Sequence, residues 1–227
     1  MADGGLNDKF WDDEVRRFLP DPRQALEDAM KYVCCPVCYA LSGVPFRYFS
    51  HLPGRWTEDA LLREAVCRAG GFCSEHTWRL SEVQSLEAIA KVFVDVLDLW
   101  PSQRVAREPC PLCRLNRLME QVLLHDLLTW LEQPWARERY GGSFGVCYRH
   151  YDALMARDLP EALRDALATV QEGWRQDLVE KLRCFLAKNT IQGKWTRTQD
   201  ENRAPRRALL KTAGTAEVHR GNSSSCH

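Results

Sequence analysis

The chain has 227 residues, 45% of them hydrophobic, with 13 glycines and 11 prolines; that is enough apolar material for one sizeable core or two small linked ones. Its 31 basic and 31 acidic side chains cancel, which removes any simple electrostatic case for nucleic acid or an anionic membrane as the partner of the whole molecule. No apolar run approaches the roughly 18 residues of a bilayer span, and the N-terminal MADGGLNDKFWDDE lacks the basic, then apolar, order of a secretion signal, so the expectation is a soluble cytoplasmic protein.

In chain order, residues 1–30 read as an N-terminal helical segment, with a helix over 11–33 interrupted around Pro20 and Pro22. Residues 31–101 form a first stretch that opens on Cys35-Pro36-Val37-Cys38. Pro45 and Pro53-Gly54 mark a loop within it, a helix starts at Thr57, and Cys73-Ser74-Glu75-His76 follows. Beyond the histidine, Leu80, Val83, Leu86, Ile89, Val92, Phe93, Val96, Leu97 and Trp100 make one long helical stripe ended by Pro101.

Residues 102–187 repeat the plan. Cys110-Pro111-Leu112-Cys113 leads into a helix striped by Leu115, Leu118, Met119, Val122, Leu123, Leu127, Leu128, Trp130 and Leu131. Cys147-Tyr148-Arg149-His150 then precedes a stripe of Leu163, Leu167, Val170, Trp174, Leu178, Leu182, Phe185 and Leu186. The first ligand pairs stand 75 positions apart and the second pairs 74, the signature of an internal duplication. No period-two strands appear, and the predicted fold is all-α. Residues 188–227 carry eight Lys or Arg against three Asp or Glu and read as a basic, largely disordered tail, with one short helix around Arg206 to Lys211 that has the option of docking back on the body.

Ten cysteines in a chain without an export signal point to metal ligation or thiol chemistry rather than a disulfide framework. Three thiolates and an imidazole are what a closed tetrahedral zinc site requires. The expectation is two structural zinc ions, one per copy: Cys35, Cys38, Cys73 and His76 in the first, Cys110, Cys113, Cys147 and His150 in the second. A tight turn would aim both sulfurs of each Cys-Pro-x-Cys at the ion, while each Cys-x-x-His would start a helix. Glycines just before the second pairs, Gly70-Gly71 and Gly145, suit a positive-φ turn. Cys34 and Cys67 have no counterparts in the second copy and are candidate substitutes or modulators.

Two other chemistries use the same residues. An iron–sulfur cluster accepts histidine less commonly than cysteine, and a redox dithiol of the glutaredoxin kind needs a βαβ context that is missing here. Haem attachment is excluded, because Tyr39 and Arg114 stand where histidine is required. No phosphate loop or catalytic constellation stands out, and no catalytic residue is assigned. The tryptophans Trp78, Trp100, Trp130, Trp135 and Trp174 lie on or beside helical stripes and read as core, whereas Trp195, in the basic tail, reads as a contact residue. The expected role is an interaction or adaptor module with a protein partner, nucleic acid being the weaker option through Arg203, Arg206, Arg207 and Lys211.

The four Cys/His motifs, with Gly71-Phe72 before Cys73, resemble a bacterial family of helical proteins that carry CPxC and GFCxxH motifs and have no assigned activity. Glu201-Asn202-Arg203-Ala204-Pro205-Arg206-Arg207-Ala208-Leu209 resembles, more loosely, that family's closing helix. The resemblance covers about residues 30 to 214. It implies a mostly helical fold and metal ligation by the eight Cys and His residues, and implies no activity.

Overall fold

Prolines and polar caps divide the chain into short helices. The computed structural model describes residues 8–99 and 108–215, and all regular structure in them is helical, as expected. Helices α1 (Asp8–Phe18) and α2 (Pro22–Ala29) flank the Pro20 break. They are followed by α3 (Pro36–Ser42), α4 (Val44–Glu58), α5 (Ala60–Arg68), α6 (Ser74–Val83) and α7 (Leu86–Leu99). The remainder comprises α8 (Pro111–Leu131), α9 (Pro134–Gly141), α10 (Tyr148–Met155), α11 (Glu161–Ala187), α12 (Ile191–Lys194) and α13 (Gln199–Ala213). No helix among the described residues is long and apolar enough to cross a membrane.

The helices recur at the spacing of the motifs: α5 and α9 begin at 60 and 134, α6 and α10 at 74 and 148. The single helix α8 answers to α3 and α4 together. Pro45 causes that break, because it lacks the N–H that would donate back to Leu41. The loop expected at Pro53-Gly54 is absent, and α4 runs through it to Glu58. Tyr48, Phe49, Leu52 and Trp56 bury one face of α4, enough to carry a single missing hydrogen bond. The next helix starts at Ala60 rather than Thr57, because the Asp59 side chain accepts from the Leu62 N–H and caps it there. The long stripe after His76 is likewise two helices. Gln84 is extended and donates its side-chain amide to the Phe49 carbonyl at 2.6 Å, and Ser85 accepts from the Ala88 N–H. Trp100 and Pro101 lie outside the described residues.

The chain forms two compact units, each discontinuous in sequence. The first contains residues 8–21, 41–99 and 108–121. Its core centres on Phe18, Tyr48, Phe49 and Phe72, with Phe49 and Phe72 edge to face at 5.2 Å. A bidentate pair, Arg55 on Glu14 at 2.6 and 2.8 Å, ties α4 to α1, and the Trp56 indole donates to Asp95 on α7.

The second unit contains 22–40 and 122–215. Within it α13 packs on α11 and α10, and α9 on α11. This corrects the expected tail for residues 188–215, which are mostly helical and docked. Thr198 and Glu201 form a capping box, Lys188 pairs with Glu201 at 2.8 Å, and Ala204 and Lys211 bury their side chains. The polarity of the segment conceals this, since the residues α13 buries are Glu201, Ala204 and Lys211, only one of them apolar. Residues 216–227 lie outside the description. Among the tryptophans, Trp130 is core, whereas Trp78 is 70% exposed and Trp135 is also exposed, contrary to the core reading; Trp195 is 88% exposed.

Candidate metal centres

All four motifs sit at helix starts. Cys73 and Cys147 are the N-caps of α6 and α10, each in extended backbone, with the carbonyl accepting from Thr77 N–H and Tyr151 N–H. Cys35 and Cys110 do the same for α3 and α8, accepting from Tyr39 N–H and Arg114 N–H, with Pro36 and Pro111 in the first helical position. The Cys-Pro-x-Cys pairs are therefore helix starts as well, rather than isolated turns. In every motif the donors stand at the cap and three residues later, on one face, where unpaired N–H groups and the helix dipole favour thiolate charge.

The eight predicted residues gather into two groups of four, each of which could hold one metal ion, and each combines a Cys-Pro-x-Cys pair with a Cys-x-x-His pair. The partners are crossed. Cys35 and Cys38 meet Cys147 and His150 in the second unit, and Cys73 and His76 meet Cys110 and Cys113 in the first. The expectation that each copy completes its own site is overturned: each unit takes one pair from either copy.

In the first unit, Cys73 Sγ lies 3.7 Å from Cys113 Sγ, and His76 Nδ1 lies 3.3 to 3.5 Å from Cys73, Cys110 and Cys113. In the second, Cys38 Sγ and Cys147 Sγ are 3.8 Å apart, and His150 Nδ1 is 3.2 to 3.5 Å from Cys35, Cys38 and Cys147. The donors of each group all lie within 4.8 Å of one another. A tetrahedron with metal–sulfur bonds of about 2.3 Å and a metal–nitrogen bond of about 2.0 Å has edges of about 3.8 and 3.5 Å. Seven of the eight donors are buried, and Cys73 is half-buried. No disulfide joins any of the described cysteines.

So many acidic groups cannot ionise together without a cation. Hydrogen bonds from Cys110 and Cys113 hold the Cys73 thiol far below its ordinary range, and sharing protons with Cys110 and Cys73 pushes Cys113 far up. Cys38 is pushed up in the same way by Cys147 and Cys35, and then by burial. His76 loses to desolvation but gains more from Cys110 and Cys73, and rises to about 9.

The glycines before the second pairs do adopt positive φ: 69° at Gly70, 99° at Gly71 and 67° at Gly145. Around Gly71 the loop is closed by backbone, Gly71 N–H donating to the Val66 carbonyl. Around Gly145 side chains do this work. The Trp174 indole donates to the Ser143 carbonyl, the Tyr140 hydroxyl accepts from the Val146 N–H, and the Lys211 ammonium donates to the Phe144 carbonyl at 2.7 Å. None of these three figured among the predicted site residues. The available sign was Lys211 itself, seven residues from Ala204 on one face of a polar helix.

Cys34 and Cys67 join neither group; burial raises the Cys34 thiol to about 11 and also raises Cys67. His51 bonds the Arg47 carbonyl and His125 is exposed, so neither is a ligand. Comparison with protein-family models, curated proteins and solved structures finds no match to this chain.

Proposed function

We propose that the protein binds two zinc ions in tetrahedral Cys3His centres, that both ions are structural, and that the helical surface they brace is an interaction module for another protein in the cytoplasm. The observation that carries this reading is the donor spacing. Sulfur–sulfur distances of 3.7 and 3.8 Å suit four donors on one ion. An iron–sulfur cluster distributes its ligands over several irons and needs them farther apart. The helical setting of both Cys-Pro-x-Cys pairs, with no strand among the described residues, likewise speaks against a glutaredoxin-like dithiol. The resemblance to a CPxC and GFCxxH family agrees with this ligand set, and the matching helix offsets agree with an ancestral duplication.

A partner protein is favoured by exposed apolar side chains on α6 and α7, Trp78, Leu86, Val94 and Leu97, and on the C-terminal segment, Ile191 and Trp195. The nucleic-acid option loses support because basic residues of that segment are engaged within the protein: Lys188 pairs with Glu201, Arg207 with Asp200, and Arg197 stacks on Phe185. Elemental analysis and an absorbance spectrum of protein purified without oxygen test the metal. Two zinc per colourless chain, falling toward one in Cys35→Ser and in Cys110→Ser, is the expected result. A brown protein with iron and sulfide, or no stoichiometric metal, overturns it.

A further inference from the structure

Lys211 is 1% exposed, and among the described residues no carboxylate pairs with it. Its ammonium donates to the carbonyl of Phe144, three residues before Cys147, and lies 4.6 Å from the centre of the Phe144 ring and 5.9 Å from that of Trp174. A Cβ on Gly145 would stand 3.4 Å from Nζ, so the positive charge reaches the backbone that leads into the Cys147 cap. Burying an unpaired ammonium is costly unless an anion shares its surroundings. Burial draws the Lys211 ammonium down to about 8, and the charge that Cys35 and Cys147 would carry as metal ligands opposes this.

Charge arithmetic identifies the role. One divalent ion with three thiolates and a neutral imidazole carries a net charge of −1. We propose that Lys211 is the charge partner of the Cys35, Cys38, Cys147 and His150 centre, so that metal loading of this centre and docking of helix α13 stabilise each other. Lys211 is a positioning residue: it holds the loop before Cys147 and balances the loaded centre without ligating the ion. The other centre is built differently. Gly71, in the place of Gly145, faces Val96 and Phe93 and no ammonium. The inference rests on the metal reading above.

The test titrates the whole chain with zinc alone against a chromophoric chelator, for the natural protein and Lys211→Met, and repeats the titration with cobalt to read coordination geometry. Lys211→Met should lose about 10- to 100-fold in affinity at one centre, the range found for outer-shell partners, while the other centre and the tetrahedral cobalt spectrum are retained. Equal affinity at both centres in the two proteins overturns the proposal and leaves the metal reading standing. A natural chain that takes up no zinc overturns the metal reading and this inference with it. Hydrogen exchange of residues 199–213 in the natural chain gives a second measurement that does not depend on the variant folding. Exchange that quickens in step with release of the ion supports the coupling, and protection that survives release of both ions overturns it.

Discussion

The two centres share ligands, spacing and helix-start geometry, yet their supports differ. In the first unit the loop before Cys73 closes on its own backbone, and Phe72 anchors it in an aromatic core. In the second, the loop before Cys147 is held by Tyr140, Trp174 and Lys211, residues drawn from three helices. The same donor set thus rests on a local scaffold in one case and on a long-range one in the other. The first depends on few parts, and the second draws on a larger piece of the chain.

The largest effects should come from the ligands. Each structural ion is expected to contribute on the order of 10 kcal/mol to folding, so stripping both should unfold the chain, as read by circular dichroism. Double variants separate crossed from within-copy pairing. Cys35→Ser with Cys147→Ser should remove one ion, whereas Cys35→Ser with Cys73→Ser should remove both; the reverse stoichiometry would break the crossed assignment. Release to a chelator should also be biphasic, the centre with half-buried Cys73 losing its ion first.

Next in size is the ion pair of the first unit. Glu14 is 3% exposed and bonds Arg55 twice, so Glu14→Ala leaves a largely buried guanidinium short of a partner and should cost about 3 kcal/mol in urea unfolding. In the second unit Gly145→Ala places a methyl 2.9 Å from Val170 Cγ1 at φ 67° and should cost about 1 to 3 kcal/mol. Removing the α5 cap with Asp59→Ala should cost about 1 kcal/mol.

The smallest effect is one of pH. Lys188, and then the Thr198 N–H, hold the Glu201 carboxyl below its usual 4.5. Because the folded value is the lower one, the capping contribution is complete above about 4.5 and is lost as pH falls through the folded value. Faster exchange of the first turn of α13 on acidification, absent in Glu201→Gln, would confirm it.

All eight candidate ligands were legible in the sequence, because zinc-site chemistry restricts both residue type and spacing. Their pairing was not. The within-copy joins, Cys38 to Cys73 and Cys113 to Cys147, are 35 and 34 positions apart, and the inner crossed join, His76 to Cys110, is 34; only the outer crossed join, Cys38 to Cys147, spans 109, so loop entropy prefers within-copy pairing by about 1 kcal/mol and points away from the arrangement observed. The helix boundaries at Pro53 and Gln84 were missed for a related reason: a buried face overrode a proline in one case, and a side chain bonding a distant carbonyl ended a helix in the other. Of the C-terminal helix, the stretch from Arg206 to Lys211 was legible and its full extent from Gln199 to Ala213 was not, because Lys211 bonds a carbonyl 67 residues away in sequence.

The crossed grouping also bears on the order in which the two centres would be completed. Written along the chain, the ligand pairs nest like parentheses: 73 and 76 close with 110 and 113 inside the span from 35 and 38 to 147 and 150. The inner closure joins residues 34 apart and the outer one 109 apart, a difference of about 1 kcal/mol in loop entropy for an unstructured chain. During synthesis from the N-terminus the inner set is complete before Cys147 exists. If both groups bind metal as proposed, Cys35 and Cys38, the first of the eight to be made, are the last to find their partners.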